Sequence, residues 1–190
     1  SIWGRGTIFL ESKSLKIKIL KKILLILYKL SFKISQKIWF TNIHDLEYFK
    51  SKKILSQKKV VLTPNYIDTE EYDPHLVNSE DKLNLLKELN IKNDDIVIIL
   101  VARMIFSKGI KEFFEASLTV NNLYPNSKFL LVGAEEEENP DSIPRQYLNQ
   151  FKKYEHFHWL GYRKDIKELY SISNIATLPS FYPEGGYPRA

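Results

Sequence analysis

The sequence predicts an α/β protein built on a parallel sheet with helices on both faces, and two observations carry that prediction. Past Asn93, runs that are apolar without interruption alternate with stretches of helical periodicity. Strands buried on both faces read as continuous apolar runs, as parallel strands under crossover helices do. The second observation is that the chemically distinctive residues fall directly after these runs, where ligands bind in such sheets.

Taken in order, Ser12 to Lys37 carries eight lysines and no acid. Its longest uncharged apolar run, Ile23 to Tyr28, is six residues, far below the roughly 20 needed to cross a bilayer. No small-residue cleavage site follows, so it is not read as a signal peptide. Two readings stay open: an amphipathic helix lying on an anionic leaflet, and a core-packed helix with a lysine-rich solvated face. Lys37 to Phe40 is expected as a short buried strand, and Thr41 or Asn42 as the cap of a helix reaching about Ile54. Lys59 to Thr63 is the next strand, stopped by Pro64 and Asn65.

Residues 66–78 are rich in Asp, Glu and Pro and read as an irregular connection, after which Ser79 caps a helix ending near Asn90. Then come strand Ile96 to Val101, a helix from about Gly109 to Asn122, strand Lys128 to Gly133, and a helix across Arg145 to Tyr154. Strand Phe157 to Gly161, a helix over Asp165 to Ser173 and strand Ile175 to Pro179 complete the series. The domain boundaries expected from this pattern are 1–68, a connection at 69–93, and 94–190.

The net charge of +5 conceals an asymmetry: residues 1–60 carry 14 Lys plus Arg against 3 acids, whereas residues 61–190 carry 14 against 20. A strongly basic segment can seek nucleic acid or an anionic membrane. Here the lysines alternate with isoleucine and leucine rather than with aromatics and arginines, which directs the reading to a membrane surface and away from nucleic acid. The absence of cysteine excludes disulfides and thiolate metal sites and suits a cytoplasmic protein, peripheral to the inner face of the plasma membrane if the basic segment docks there. The four histidines, His44, His75, His156 and His158, lack metal-ligand spacing, so no metal site is expected. The run Glu135 to Glu138 is expected to be a solvated acidic loop.

Two segments carry candidate chemistry. After the Ile96 to Val101 strand, Arg103 offers a planar fork for bidentate phosphate contact, and Lys108 offers a compact charge five positions later. Gly109, at a helix start, lets backbone amides approach an anion at the positive end of the helix dipole. Both cations could equally be surface residues of an ordinary loop. After the last strand, Glu184 can accept hydrogen bonds from sugar hydroxyls, while Gly185 and Gly186 permit close approach of a ring or phosphate. A plain glycine turn is the competing reading. Taken together, the two segments describe a site for a sugar carrying a diphosphate.

The order Pro64-Asn65-Tyr66-Ile67-Asp68, then Arg103 with Lys108-Gly109, then Phe129 to Gly133, Phe157 to Gly161, Leu178-Pro179-Ser180 and Glu184-Gly185 resembles family 4 of the retaining glycosyltransferases. The opening Trp3 to Phe9 and the basic helix resemble the late N-terminal domain of bacterial members that build lipid-linked oligosaccharides or surface polysaccharides. The resemblance implies the GT-B fold, two Rossmann-like domains, with residues 1–68 ending the first and residues 94–190 forming an incomplete nucleotide-sugar domain. It implies transfer of a hexose or N-acetylhexosamine from a nucleotide sugar, expected to be a UDP-sugar, to a lipid-linked or polysaccharide acceptor, with no metal or other cofactor. Arg103 and Lys108 would bind the donor diphosphate, Glu184 would contact the transferred sugar, and Tyr162 and Arg163 would lie near the base. Departures accompany the match: Tyr66 replaces a usual glycine, Pro188 follows Glu184 at an uncommon spacing, and the second glutamate of the family's pair, expected near position 192, lies beyond Ala190. The chain is therefore expected to be a fragment, inactive alone. Two other classes remain open: a non-catalytic nucleotide or anion-binding module, and a membrane-recruitment segment.

Overall fold

The computed structural model describes residues 14–56, 59–63, 66 and 68–181. They divide into two compact units that meet in sequence between Tyr66 and Asp68.

In the first unit, helix α1 (Leu15–Ile34) leads into strand β1 (Ile38–Phe40), helix α2 (Ile43–Ser51) and strand β2 (Val60–Leu62). The strands pair in parallel, Ile38 opposite Val60 and Phe40 opposite Leu62. Helix α2 starts where Asn42 accepts a hydrogen bond from the Asp45 amide at 2.8 Å and donates its own amide to the Asp45 carboxylate at 3.0 Å. This reciprocal cap satisfies a donor that the first helical turn leaves without a partner. Of the two expected caps, Asn42 is the one used. Phe32, Ile38, Phe40, Leu46 and Phe49 form the core. Phe32 meets Phe49 edge-on at 5.3 Å, so α1 docks on α2 through aromatic contact. The structure thus realises the core-packed reading of α1 for one of its faces.

The second unit opens with helix α3 (Ser79–Glu88). Its cap is Asn78, whose side chain accepts from the Glu80 amide at 2.9 Å, one position before the expected Ser79. There follow β3 (Ile96–Val101), α4 (Ile110–Leu123), β4 (Ser127–Val132), α5 (Arg145–Leu148), β5 (Phe157–Trp159), α6 (Ile166–Ser171) and β6 (Ile175–Ala176). The four strands are parallel in the order β5-β4-β3-β6. Side-chain alternation divides the strands between two cores. Ile98, Leu100, Phe129 and Leu131 face one, with Phe113, Phe114 and Phe157. Val97, Ile99, Leu130 and Val132 face the other, with Leu85, Leu89 and Leu169. Both sheet faces are covered, which is why these strands read as unbroken apolar runs. Residues 69–93, expected as a connection, supply α3 to the second core.

The expected helix over Arg145 to Tyr154 is α-helical only to Leu148 and continues as a 3₁₀ turn from Asn149 to Lys153. Leu148 and Phe151, three positions apart across this junction, are both buried, and the Phe151 ring meets that of Phe114 tilted, with centroids 4.6 Å apart. Burial and the nearby Lys128 ammonium hold His156 and His158 below the usual imidazole range. Among the described residues no cluster of His, Cys, Asp or Glu could hold a metal ion. Nor is any helix among them long and apolar enough to cross a membrane.

Candidate functional site

The chain runs outward from β3 to β4 and β5, then returns to place β6 on the other side of β3. Such a reversal opens a crevice beyond the carboxyl ends of the two strands that flank it. Here those ends are residues 102–109 after β3 and residues 177–181 after β6. They meet directly: the Phe181 amide donates to the Ser107 carbonyl at 3.2 Å. Gly109 has φ +73, and a Cβ on it would lie 2.4 Å from the Pro179 carbonyl oxygen, so only glycine lets the two segments close.

Hydrophobic anchors hold the first of these loops in place. Met104 and Ile105 are buried, while the amides of Lys108 and Gly109 donate to the carbonyls of Ile105 and Phe106 at 3.1 and 2.9 Å. This turn delivers Lys108 to the start of α4, a helix of 14 residues whose cap, Gly109, offers no side chain to its first amides. Uncapped N-terminal amides and the helix dipole favour an anion there. Arg103 is exposed, its Nη1 3.9 Å from the Glu136 carboxylate. An exposed pair of that length is worth about 0–1 kcal/mol, so a polyanion can displace it. Arg103, Lys108 and Gly109 are therefore brought onto one loop at the switch point.

Tyr162 lies elsewhere on the same edge of the sheet. It lines a hollow of about 540 Å³ with Glu135, Arg145, Trp159 and Gly161. Trp159 is oriented by its Nε1 donating to the Gly133 carbonyl at 3.1 Å. Arg163, expected near a nucleotide base, is held by two carboxylates: its Nε donates to Asp165 at 2.8 Å and its Nη1 to Glu88 at 2.6 Å. Asp165, first, and Glu88 together raise the arginine above its usual range, and Arg163 in turn lowers Asp165. This fork ties the segment after β5 to α3. The acidic run is a surface loop on which Glu137 and Glu138 are exposed, Glu136 faces Arg103 and Glu135 pairs with Arg145 at 3.5 Å. Glu184, Gly185 and Gly186 lie outside the described residues.

Sequence reasoning passed over Asn139 and Asp141. Asp141 accepts from the Phe106 amide through its carbonyl and from the Ser107 amide through its carboxylate, each at 2.9 Å. The signal was present in Asn139-Pro140-Asp141, a pattern that favours a side-chain-closed turn; Asn139 does accept from the Asp141 amide at 3.0 Å.

Comparison with known proteins bears on the family and the fold. The model of the family described as glycosyl transferases group 1 matches residues 81–188. A Campylobacter jejuni relative, N,N'-diacetylbacillosaminyl-diphospho-undecaprenol alpha-1,3-N-acetylgalactosaminyltransferase, is 32% identical over 96% of this chain and 46% of its own length. An Escherichia coli relative, UDP-Gal:alpha-D-GlcNAc-diphosphoundecaprenol alpha-1,3-galactosyltransferase, is 30% identical over 77% of this chain and 36% of its own. The chain thus spans less than half the length of these relatives. Among solved structures, Anabaena HepE in complex with UDP-glucose superposes with TM-score 0.69 at 18% identity, over 88% of this chain and 44% of that one. WaaG, a glycosyltransferase involved in lipopolysaccharide biosynthesis, superposes at 0.58 and 14% identity, over 76% of this chain and 38% of that one. These likenesses establish the fold as that of the GT-B glycosyltransferases. With the family model covering more than half of its residues, the chain belongs to the group 1 glycosyl transferases.

Proposed function

We propose that this chain supplies the donor-binding part of a retaining glycosyltransferase that moves a hexose or N-acetylhexosamine from a UDP-sugar to a lipid-linked or polysaccharide acceptor. The observation that carries the reading is the meeting of the Arg103–Gly109 loop with the 177–181 segment at the sheet's switch point. In the reaction the bond from the sugar's anomeric carbon to the diphosphate breaks, leaving its electron pair on the diphosphate. The acceptor hydroxyl bonds that carbon on the same face and passes its proton to a donor phosphate oxygen. Arg103, Lys108 and the amides opening α4 neutralise the charge that grows on the leaving group. Glu184 holds sugar hydroxyls and so aligns the reacting carbon. No metal or other cofactor takes part in this scheme.

The test uses the full-length protein, a panel of UDP-sugars and an undecaprenyl-diphosphate-linked sugar, with UDP release as the readout. Release is expected with at least one donor and is lost in Glu184→Gln. No release with any donor favours a non-catalytic nucleotide-binding module, whereas release unchanged by the substitution removes Glu184 from the site and leaves the transfer reading standing.

A second part of the proposal concerns α1 and places the protein at an anionic membrane. On the helix, Ile19, Ile23, Ile26, Leu30 and Ile34 follow one another at spacings of three and four and are all exposed. Lys18, Lys22, Lys29 and Lys33 form a neighbouring row, and the helix carries no acid. An aliphatic stripe beside a lysine row complements anionic lipid, with about 1 kcal/mol per lysine near the surface. Full-length protein is expected to float with phosphatidylglycerol vesicles and not with phosphatidylcholine ones, and to lose flotation when these four lysines become serine. Failure with both vesicles would show that polypeptide rather than lipid covers this face, and flotation indifferent to the lysines would show that this row does not carry the binding.

A further inference from the structure

We infer that Asp141 is a positioning residue for the donor site, acting through Lys108; the inference rests on the UDP-sugar reading above. One residue receives two consecutive amides of the diphosphate loop, Phe106 on its carbonyl and Ser107 on its carboxylate. Its sequence distance from that loop is 34 positions, so the contact is a tertiary one. The segment bearing Asp141 is itself held. Asn139 accepts from the Asp141 amide, the Ser142 amide donates to the Asn139 carbonyl at 2.9 Å, and the Ile143 amide donates to the Met104 carbonyl at 3.0 Å. Ile143 is buried in the same core as Met104. The result is a rigid bracket closed by a carboxylate against the amide immediately preceding Lys108.

This bracket sets where Lys108 starts its side chain. Ser107 sits between its two neighbours: its amide is held by Asp141, and its carbonyl accepts from Phe181. Fixing that residue fixes the turn that follows, in which the Lys108 and Gly109 amides close back on Ile105 and Phe106. Loss of the carboxylate leaves the Ser107 amide without its acceptor, and the turn can rotate about its remaining contacts. A negative charge this close to a diphosphate site would repel the ligand if its oxygen were turned outward. It is tolerated because its charge is directed at an amide, and a hydrogen bond to a charged group is among the stronger ones.

The experiment is a double-mutant cycle on the full-length protein, reading UDP affinity by calorimetry and melting temperature in parallel. Asp141→Ala is expected to weaken UDP about 10-fold, the effect of losing one charge-assisted hydrogen bond. Asp141→Asn, whose amide oxygen still accepts from Ser107, restores most of the affinity. In a Lys108→Ala background Asp141→Ala should cost less than about 2-fold, because residues acting through one another are not additive. Full additivity, or equal weakening by Asn and Ala, overturns the inference while leaving the donor site standing. A Lys108→Ala single variant that binds UDP normally removes Lys108 from the donor site and this inference with it, while unchanged UDP affinity in Arg103→Ala as well removes the donor reading itself.

Discussion

Gly133→Ala is expected to destabilise the second unit by about 3–5 kcal/mol, the range reached when backbone strain and overpacking combine. Gly133 has φ +152, and a Cβ built on it would lie 1.8 Å from the Ala102 carbonyl oxygen and 2.8 Å from the Met104 Cε. The nearer of these atoms is backbone, so no rotamer change relieves the collision. Ala102 is also bound to the sheet, its amide donating to the Val132 carbonyl at 2.9 Å, and Gly133 donates to Gly161 at 2.8 Å. Something in this set must break, and what breaks is the root of the Arg103 loop. Gly161→Ala is the internal control. At φ +65 its Cβ would meet nothing within 4 Å, so it should cost only the left-handed penalty of about 1–2 kcal/mol. Urea denaturation of the full-length protein compares the two. Equal midpoints would mean that the β3 and β4 ends are not in the close approach described.

Arg103→Ala and Lys108→Ala should each weaken UDP binding by about 10- to 100-fold, corresponding to one or two charge-assisted hydrogen bonds to phosphate. The two losses should differ in character. Lys108 is half-buried beside the opening of α4, where solvent screening is weaker, and its effect should persist at moderate salt. Arg103 is exposed and faces Glu136 across 3.9 Å, so its contribution should fall more steeply as salt rises. Arg103→Lys keeps the charge but not the fork, and should recover only part of the affinity. Calorimetric titration with UDP at two ionic strengths reads all of this, and unchanged affinity in both alanine variants would remove these residues from the donor site.

Much of the second unit was legible because burial writes itself into local pattern. The β3 run Ile96–Val101 was read with its observed bounds, since a strand covered on both faces must be apolar at every position. Gly109 was legible for a related reason: a glycine between a strand and a helical run marks a turn that other residues resist. The helix at Ser79–Glu88 was legible too, but the core it enters and the 3₁₀ turn at Asn149–Lys153 were not. Polar sequence around Ser79 says nothing of which core Leu85 and Leu89 will enter, and the choice between α and 3₁₀ turns depends on how Leu148 and Phe151 meet Phe114.

The sequence by itself determined the alternation of strands and helices, the cations that follow β3, and the order of motifs that marks the family. Each is a local matter, since periodicity reflects how one segment meets water and a turn residue reflects its own φ and ψ. Only the tertiary structure decided that β6 returns beside β3, that Arg163 is taken by Glu88 from 75 positions away, and that Asp141 closes on Ser107. Those pairings join residues whose spacing along the chain carries no record of their distance in space. They form because the two cores fix the strand ends, and the charged groups at those ends then find the partners that packing has left within reach.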